Sequence, residues 1–127
     1  MDYTLNVKRL RMKAVVDSID GGNAPGSIEL RDAERNILCT LILQRPSFHL
    51  VGDDLHLAAP TSGWVAIGGQ AYIGTITDGS GNLVIDNMTV GVENEATPEH
   101  DFEIVLDSAS LEVGKQVTII QATIEHG

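Results

Sequence analysis

Aromatic side chains are scarce in this chain, five among 127 residues. The core must therefore be built from Val, Ile, Leu and Ala, a composition that suits strands. Cysteine is nearly absent. Cys39 stands alone inside the apolar run Ile37-Leu-Cys-Thr-Leu-Ile-Leu43, so no intrachain disulfide can form and a small buried hydrophobe in a reducing compartment is expected. Basic residues are few as well, eight Lys and Arg against eighteen Asp and Glu for a formal charge of −10. That charge repels phosphate backbones and anionic headgroups, which excludes nucleic acid and membrane as expected partners. Long apolar runs are missing: no segment approaches the roughly 18 residues of a membrane span, and Met1-Asp-Tyr-Thr4 lacks the basic start and apolar core of a signal peptide. The expectation is a soluble chain not secreted by the usual route.

What is present divides into one helix and many strands. The segment Val7-Lys-Arg-Leu-Arg-Met-Lys-Ala-Val-Val-Asp-Ser-Ile19 sets Val7, Leu10, Ala14 and Val15 at helical spacing, with Ile19 continuing the stripe. It predicts one amphipathic α-helix over 5–20. Gly21 and Gly22 offer the positive φ of a helix C-terminal cap, and Pro25 blocks resumption. Beyond it, β-branched runs alternate with Gly, Asn and Asp at the spacing of a sandwich or barrel, about eight strands in all. They are placed at 27–31, 37–44, 48–51, 55–58, 63–67, 71–77, 83–90, and 102–107 with 116–125. In the last of these, Thr118, Ile120, Ala122 and Ile124 alternate with Val117 and Ile119, so its first half is expected to be covered on both sides. The aperiodic acidic stretch 92–101 reads as a loop. A single domain over 1–127 is expected, with the helix at 5–20 and a β-sandwich at 27–125.

Few residues invite a chemical reading. Asp78, Ser80 and Asn82 alternate as in a calcium loop, but counting from Asp78 puts Leu83 and Thr89 where an EF-hand needs Gly and a bidentate Glu. The Asp-Gly and Gly-Asn pairs fit a hairpin turn instead. His49 and His56 would face each other if a two-residue turn were centred on Gly52-Asp53, and with a carboxylate could hold zinc. No third ligand is forced nearby, so they read as ordinary strand histidines and no metal or other cofactor is expected. Cys39 sits in an apolar run, no serine lies in a Gly-x-Ser-x-Gly elbow, and Gly79-Ser-Gly81 is too short for a phosphate cradle. Asp53-Asp54 and the Glu93/Glu95 pair lie where loops are expected. The chain is read as non-enzymatic.

Charge distribution says more. Residues 1–20 carry four bases and three acids, a sum of +1, and the remainder sums to −11. Lys8, Arg9, Arg11 and Lys13 therefore either pair with the acidic body of their own chain or dock an acidic neighbour. With the second reading, these four and the two-sided strand residues Val117 and Ile119 form the expected partner-binding set.

Taken in order, Met12-Lys-Ala-Val-Val-Asp-Ser-Ile-Asp-Gly-Gly22, Gly26-Ser-Ile-Glu-Leu30, Leu38-Cys-Thr-Leu-Ile-Leu-Gln-Arg-Pro-Ser-Phe48, Leu55-His-Leu-Ala58, Gly63-Trp-Val-Ala-Ile67, Asn82-Leu-Val-Ile-Asp-Asn-Met-Thr-Val-Gly91 and Val113-Gly-Lys-Gln-Val-Thr-Ile119 resemble a family of small virion structural proteins of tailed bacteriophages. Order and spacing carry the resemblance over most of the chain. It implies a jelly-roll-like antiparallel β-sandwich acting as a capsid cement or decoration protein. Such a subunit would be a homo-oligomer, a homotrimer in the expected form, bound to the major capsid protein on the virion surface after synthesis in the host cytoplasm. Two other readings stand beside it. One is a carbohydrate- or other ligand-binding sandwich module; the other is a tail or connector component of the virion.

Overall fold

A computed structural model of the chain describes residues 2–92, 102–108 and 110–125. The helix α1 (Leu5–Asp20) begins at Thr4, whose side chain accepts from the Val7 amide at 3.3 Å, the usual N-cap service to an otherwise unpaired N–H. It stops at Gly21 without the expected positive φ: Gly21 is right-handed at φ −78°. Glycine is required there for space, since a Cβ would sit 2.6 Å from the Asp17 carbonyl oxygen. The buried face keeps only Val15 and Ile19 of the expected stripe. Met12 and Ile19 are buried and Val15 and Val16 half-buried, whereas Val7, Leu10 and Ala14 are exposed. Two apolar stripes run along this helix at the same period, and the sheet takes the one richer in large side chains.

Eleven strands follow: β1 (Ser27–Arg31), β2 (Ile37–Ile42), β3 (Phe48–Val51), β4 (Asp54–Leu57), β5 (Thr61–Trp64), β6 (Gly69–Gln70), β7 (Ile73–Thr77), β8 (Leu83–Val92), β9 (Ile104–Leu106), β10 (Ser110–Leu111) and β11 (Gln116–Ile124). The main sheet runs β2-β1-β7-β8-β9-β11-β4-β3, with β5 also on β11, and β6 pairs with β10. Strand β11 is long enough to hold β5 along its first half and β4 along its second. Beyond β5 the chain returns to β2: Val65 bridges Cys39, and the Leu38 carbonyl accepts from the Ala66 and Ile67 amides. The sheet thus curls until its edges meet, which leaves fewer unpaired edge groups. The result is mainly β, antiparallel-rich and consistent with a β-sandwich carrying one N-terminal helix. A jelly-roll strand order is not confirmed by this path, in which β8 and β9 run parallel.

The core is aliphatic apart from Phe48, with Ile28, Leu30, Leu41, Leu55, Ile76, Ile104, Leu106 and Ile119 fully enclosed. Strand β11 corrects the expectation of a two-sided strand. A register shift between Ile119 and Gln121 inserts a β-bulge, so Val117 and Ile119 point inward before it and Ala122 and Ile124 after it. The extra residue switches the alternation, and both apolar sets serve one core. The expected loop at 92–101 lies outside the described residues except for Val92, which ends β8.

Candidate functional site

The expected partner-binding residues separate. Val117 and Ile119 are 2% and 0% exposed; the chain's own core consumes them, and a neighbour cannot reach them. The helix bases remain at the surface. Lys8 pairs with Asp53 at 3.8 Å, next to the β3–β4 turn, and Arg11 lies 4.5 Å above the Tyr3 ring. Among the described residues no carboxylate lies within 4 Å of Arg9 or Lys13. Between these charges runs the outer apolar stripe of Tyr3, Val7, Leu10 and Ala14, with Leu10 60% exposed. Among the described residues one base of the four, Lys8, is thus ion-paired to the acidic body of the chain, and the others flank an apolar ridge.

A second exposed apolar surface was not anticipated from sequence. Trp64 is 68% exposed, Ile67 52%, Tyr72 62% and Val113 66%. Backbone pairing brings them to one end of the sheet. Ile67 follows the β5–β2 closure on Leu38, and a Cβ on Gly68 would meet Val113 Cγ2 at 3.7 Å. The Tyr72 amide donates to the Arg31 carbonyl, and Arg31 pairs with Ile37, itself partly exposed. Strand alternation sets the facing: Gly63 and Val65 are buried, so Trp64 between them faces out. What sequence could not supply was the closure that gathers these side chains.

The polar features are mostly turn-makers. Asp78 Oδ1 accepts from the Ser80 and Asn82 amides at 2.9 Å each, and Asn82 Nδ2 donates to Asp78 Oδ2 at 3.1 Å. Gly81 supplies φ +87°. The β1–β2 loop repeats this arrangement: Asp32 Oδ1 accepts from the Glu34 and Asn36 amides at 3.0 and 2.8 Å, Asn36 Nδ2 donates to Asp32 Oδ2 at 3.1 Å, and Arg35 sits at φ +68°. Both are five-residue Asp-x-x-x-Asn hairpin loops whose carboxylates accept from backbone amides and the Asn side chain of their own loop. Hydrogen bonds from Asn36 and Asn82, backbone first and side chain second, hold Asp32 and Asp78 below the usual carboxylate range. Arg35 also reaches β8, where a register shift against β7 leaves Asp86 and Asn87 in a bulge, donating to both Asp86 oxygens at 2.9 and 2.8 Å and to Asn87 Oδ1 at 3.0 Å. That hydrogen bonding lowers the Asp86 carboxyl as well. Burial pushes the Cys39 thiol up, which keeps it protonated at neutral pH.

His49 and His56 are directly paired across β3 and β4, with ring centroids 6.3 Å apart and planes at 30°. Among the described residues no group of three His, Cys, Asp or Glu side chains is arranged to hold a metal. A groove of about 530 Å³ runs between α1 and the sheet, floored by Met12, Val15, Ile85 and Ile124 and edged by Arg11 and Glu103. Comparison with protein-family models, with curated proteins and with solved structures found no match.

Proposed function

We propose that this chain is a non-enzymatic assembly subunit that acts by covering neighbours, and that its finer role is the one its sequence resemblance suggests, a cement or decoration subunit on a phage capsid. The exposed apolar rim of Trp64, Ile67, Tyr72 and Val113 is the observation that carries the reading. Apolar side chains gathered at one end of a sheet are what an interface buries. A Trp or Tyr buries on the order of 150–250 Å², which at about 25 cal/mol per Å² is several kcal/mol of transfer free energy for the pair. The basic helix adds steering toward an acidic neighbour, a second copy or the major capsid protein. Its mechanism would be mass action: a subunit that binds the assembled shell and not its dispersed form stabilises the shell. Many equivalent sites would add avidity to a modest single contact.

Trp64 is the chain's single tryptophan, so its fluorescence reports on the rim alone. Purified protein should associate with rising concentration, with a blue-shifted emission, and Ile67→Asp should abolish both effects while leaving the circular dichroism unchanged. A strictly monomeric parent that also fails to bind capsid particles would refute the assembly reading. In purified virions, hundreds of copies per particle support the cement role; about six or twelve copies would assign a ring-shaped connector or tail location instead.

The exposure of Trp64 and Tyr72 on one rim also favours a second reading, a carbohydrate-binding module, because saccharide sites use such platforms. Quenching of Trp64 by oligosaccharide without self-association would select it.

A further inference from the structure

We propose that His49 and His56 form a two-imidazole chelate for a borderline divalent transition ion, zinc, nickel or copper, on the outer face of the β3–β4 hairpin. Strand register places the two imidazoles. Val51 pairs with Asp54, Leu50 with Leu55 and His49 with His56, so the loop is the two-residue Gly52-Asp53, and Gly52 takes the positive φ of +65° that this tight connection uses. A slip of one residue would break the pairing, and the structure shows none along this hairpin. Side chains directly opposite one another have Cβ atoms about 4.5–5.5 Å apart, within reach of one ion.

Facing and support are also in place. Phe48 and Leu55 are buried, so alternation turns His49 and His56 outward; His49 is exposed and His56 half-exposed. Strand β4 is not a free edge on its other side, because His56 pairs there with Thr123 of β11. One ligand is therefore fixed within the sheet, and the other is carried by the strand bonded to it.

The rings are 6.3 Å apart, centroid to centroid. Two imidazole nitrogens at about 2.0–2.1 Å from a tetrahedral ion would bring the centroids to roughly 5 Å. Rotating two solvent-facing side chains closes that difference of about 1 Å without moving backbone. Asp54, two residues before His56 on the same strand, shares its face by alternation, and Lys8 is engaged by Asp53, so the local balance does not oppose a cation. Imidazole donors select zinc, nickel or copper over calcium and magnesium. With two protein ligands, water or the same pair on a second copy completes the coordination.

The test uses tag-free full-length chain. Zinc or nickel titrated by calorimetry should show one saturable site, at one ion per chain or one per two chains, and magnesium should give none. His49→Ala and His56→Ala should each weaken binding by tenfold or more, about 1.4 kcal/mol, since each removes half of a chelate. His100→Ala and His126→Ala should bind as the parent does. Zinc should also raise the melting temperature of the parent and of neither hairpin variant, because an ion that binds only the folded pair stabilises it. Absence of a saturable site at millimolar metal, or undiminished binding by His49→Ala, would overturn the proposal. Both substituted side chains face solvent, and unchanged circular dichroism confirms that the variants fold.

Discussion

At the residue scale, Asp32 and Asp78 do the same job in two places. Each carboxylate takes two backbone amides and an Asn side chain, so a motif that resembles a cation ligand set is occupied by its own loop. Because hydrogen bonding depresses both folded-state pKa values, the stability they contribute is present above the ordinary carboxylate pKa of about 4 and is lost as pH falls through the lower folded values. Asp78→Ala should therefore lower the melting temperature at pH 7, and the gap from the parent should close as pH falls below about 4. Thermal melts of the two proteins across acidic buffers check this; a gap of constant size would show that the ionised carboxylate is not the stabilising species. Gly81→Ala is a separate, pH-independent case. At φ +87° a Cβ costs roughly 1–2 kcal/mol, and denaturant melts should find that loss at pH 7 and in the acidic buffers alike. Asx geometry was legible in the Asp-Gly-Ser-Gly-Asn string as a turn. The equivalence with Asp-Ala-Glu-Arg-Asn was not, because Arg35 adopts the left-handed region that sequence reading reserves for glycine.

At the level of elements, the structure distinguishes side chains that composition treats alike. In β11, Ile119 is fully enclosed and Ile120 is 39% exposed. Ile119→Ala should cost on the order of 2–5 kcal/mol and Ile120→Ala well under half of that, by the cavity each leaves. On α1, Met12→Ala should fall in the same costly range and Leu10→Ala near zero. Urea unfolding of the four variants is the measurement, and equal losses for Ile119 and Ile120 would remove the bulge from the account. These pairs also mark what could be read in advance. Helix limits and most strands follow local period and punctuation, and β3 and β4 were legible from the turn residues between them, whereas the two-residue turn at Gly52-Asp53 is fixed only by the strand register. The face of α1 was legible only in part: Val15 and Ile19 of the expected stripe turn inward, but Met12 and Val16 take the places expected of Val7, Leu10 and Ala14. The phase of β11 was hidden by one inserted residue. Strands β6 and β10, two residues each, are too short to have a period. The parallel β8–β9 pair depends on a long-range meeting that no local signal encodes.

For the whole molecule, the rim around Trp64 and the basic helix are two exposed surfaces with different physics among the described residues, and ionic strength can tell them apart. The rim around Trp64 is apolar, so association through it should persist when salt shortens the screening length from about 10 Å at 0.1 M to about 3 Å at 1 M. The helix surface carries Arg9, Arg11 and Lys13 on a chain of formal charge −10, so contacts through it should weaken over the same range. Arg9→Glu with Arg11→Glu should slow association at low salt by tenfold or more and change little at 1 M, since steering acts mainly on the encounter rate. Ile67→Asp should instead remove association at every salt concentration. Stopped-flow emission of the single Trp64, followed at several ionic strengths, separates the two. If charge reversal on the helix leaves the low-salt rate untouched, α1 is a solvated face, and the rim alone carries assembly. If both variants act as expected, the helix bases recruit the neighbour by long-range attraction and the rim holds it by apolar contact.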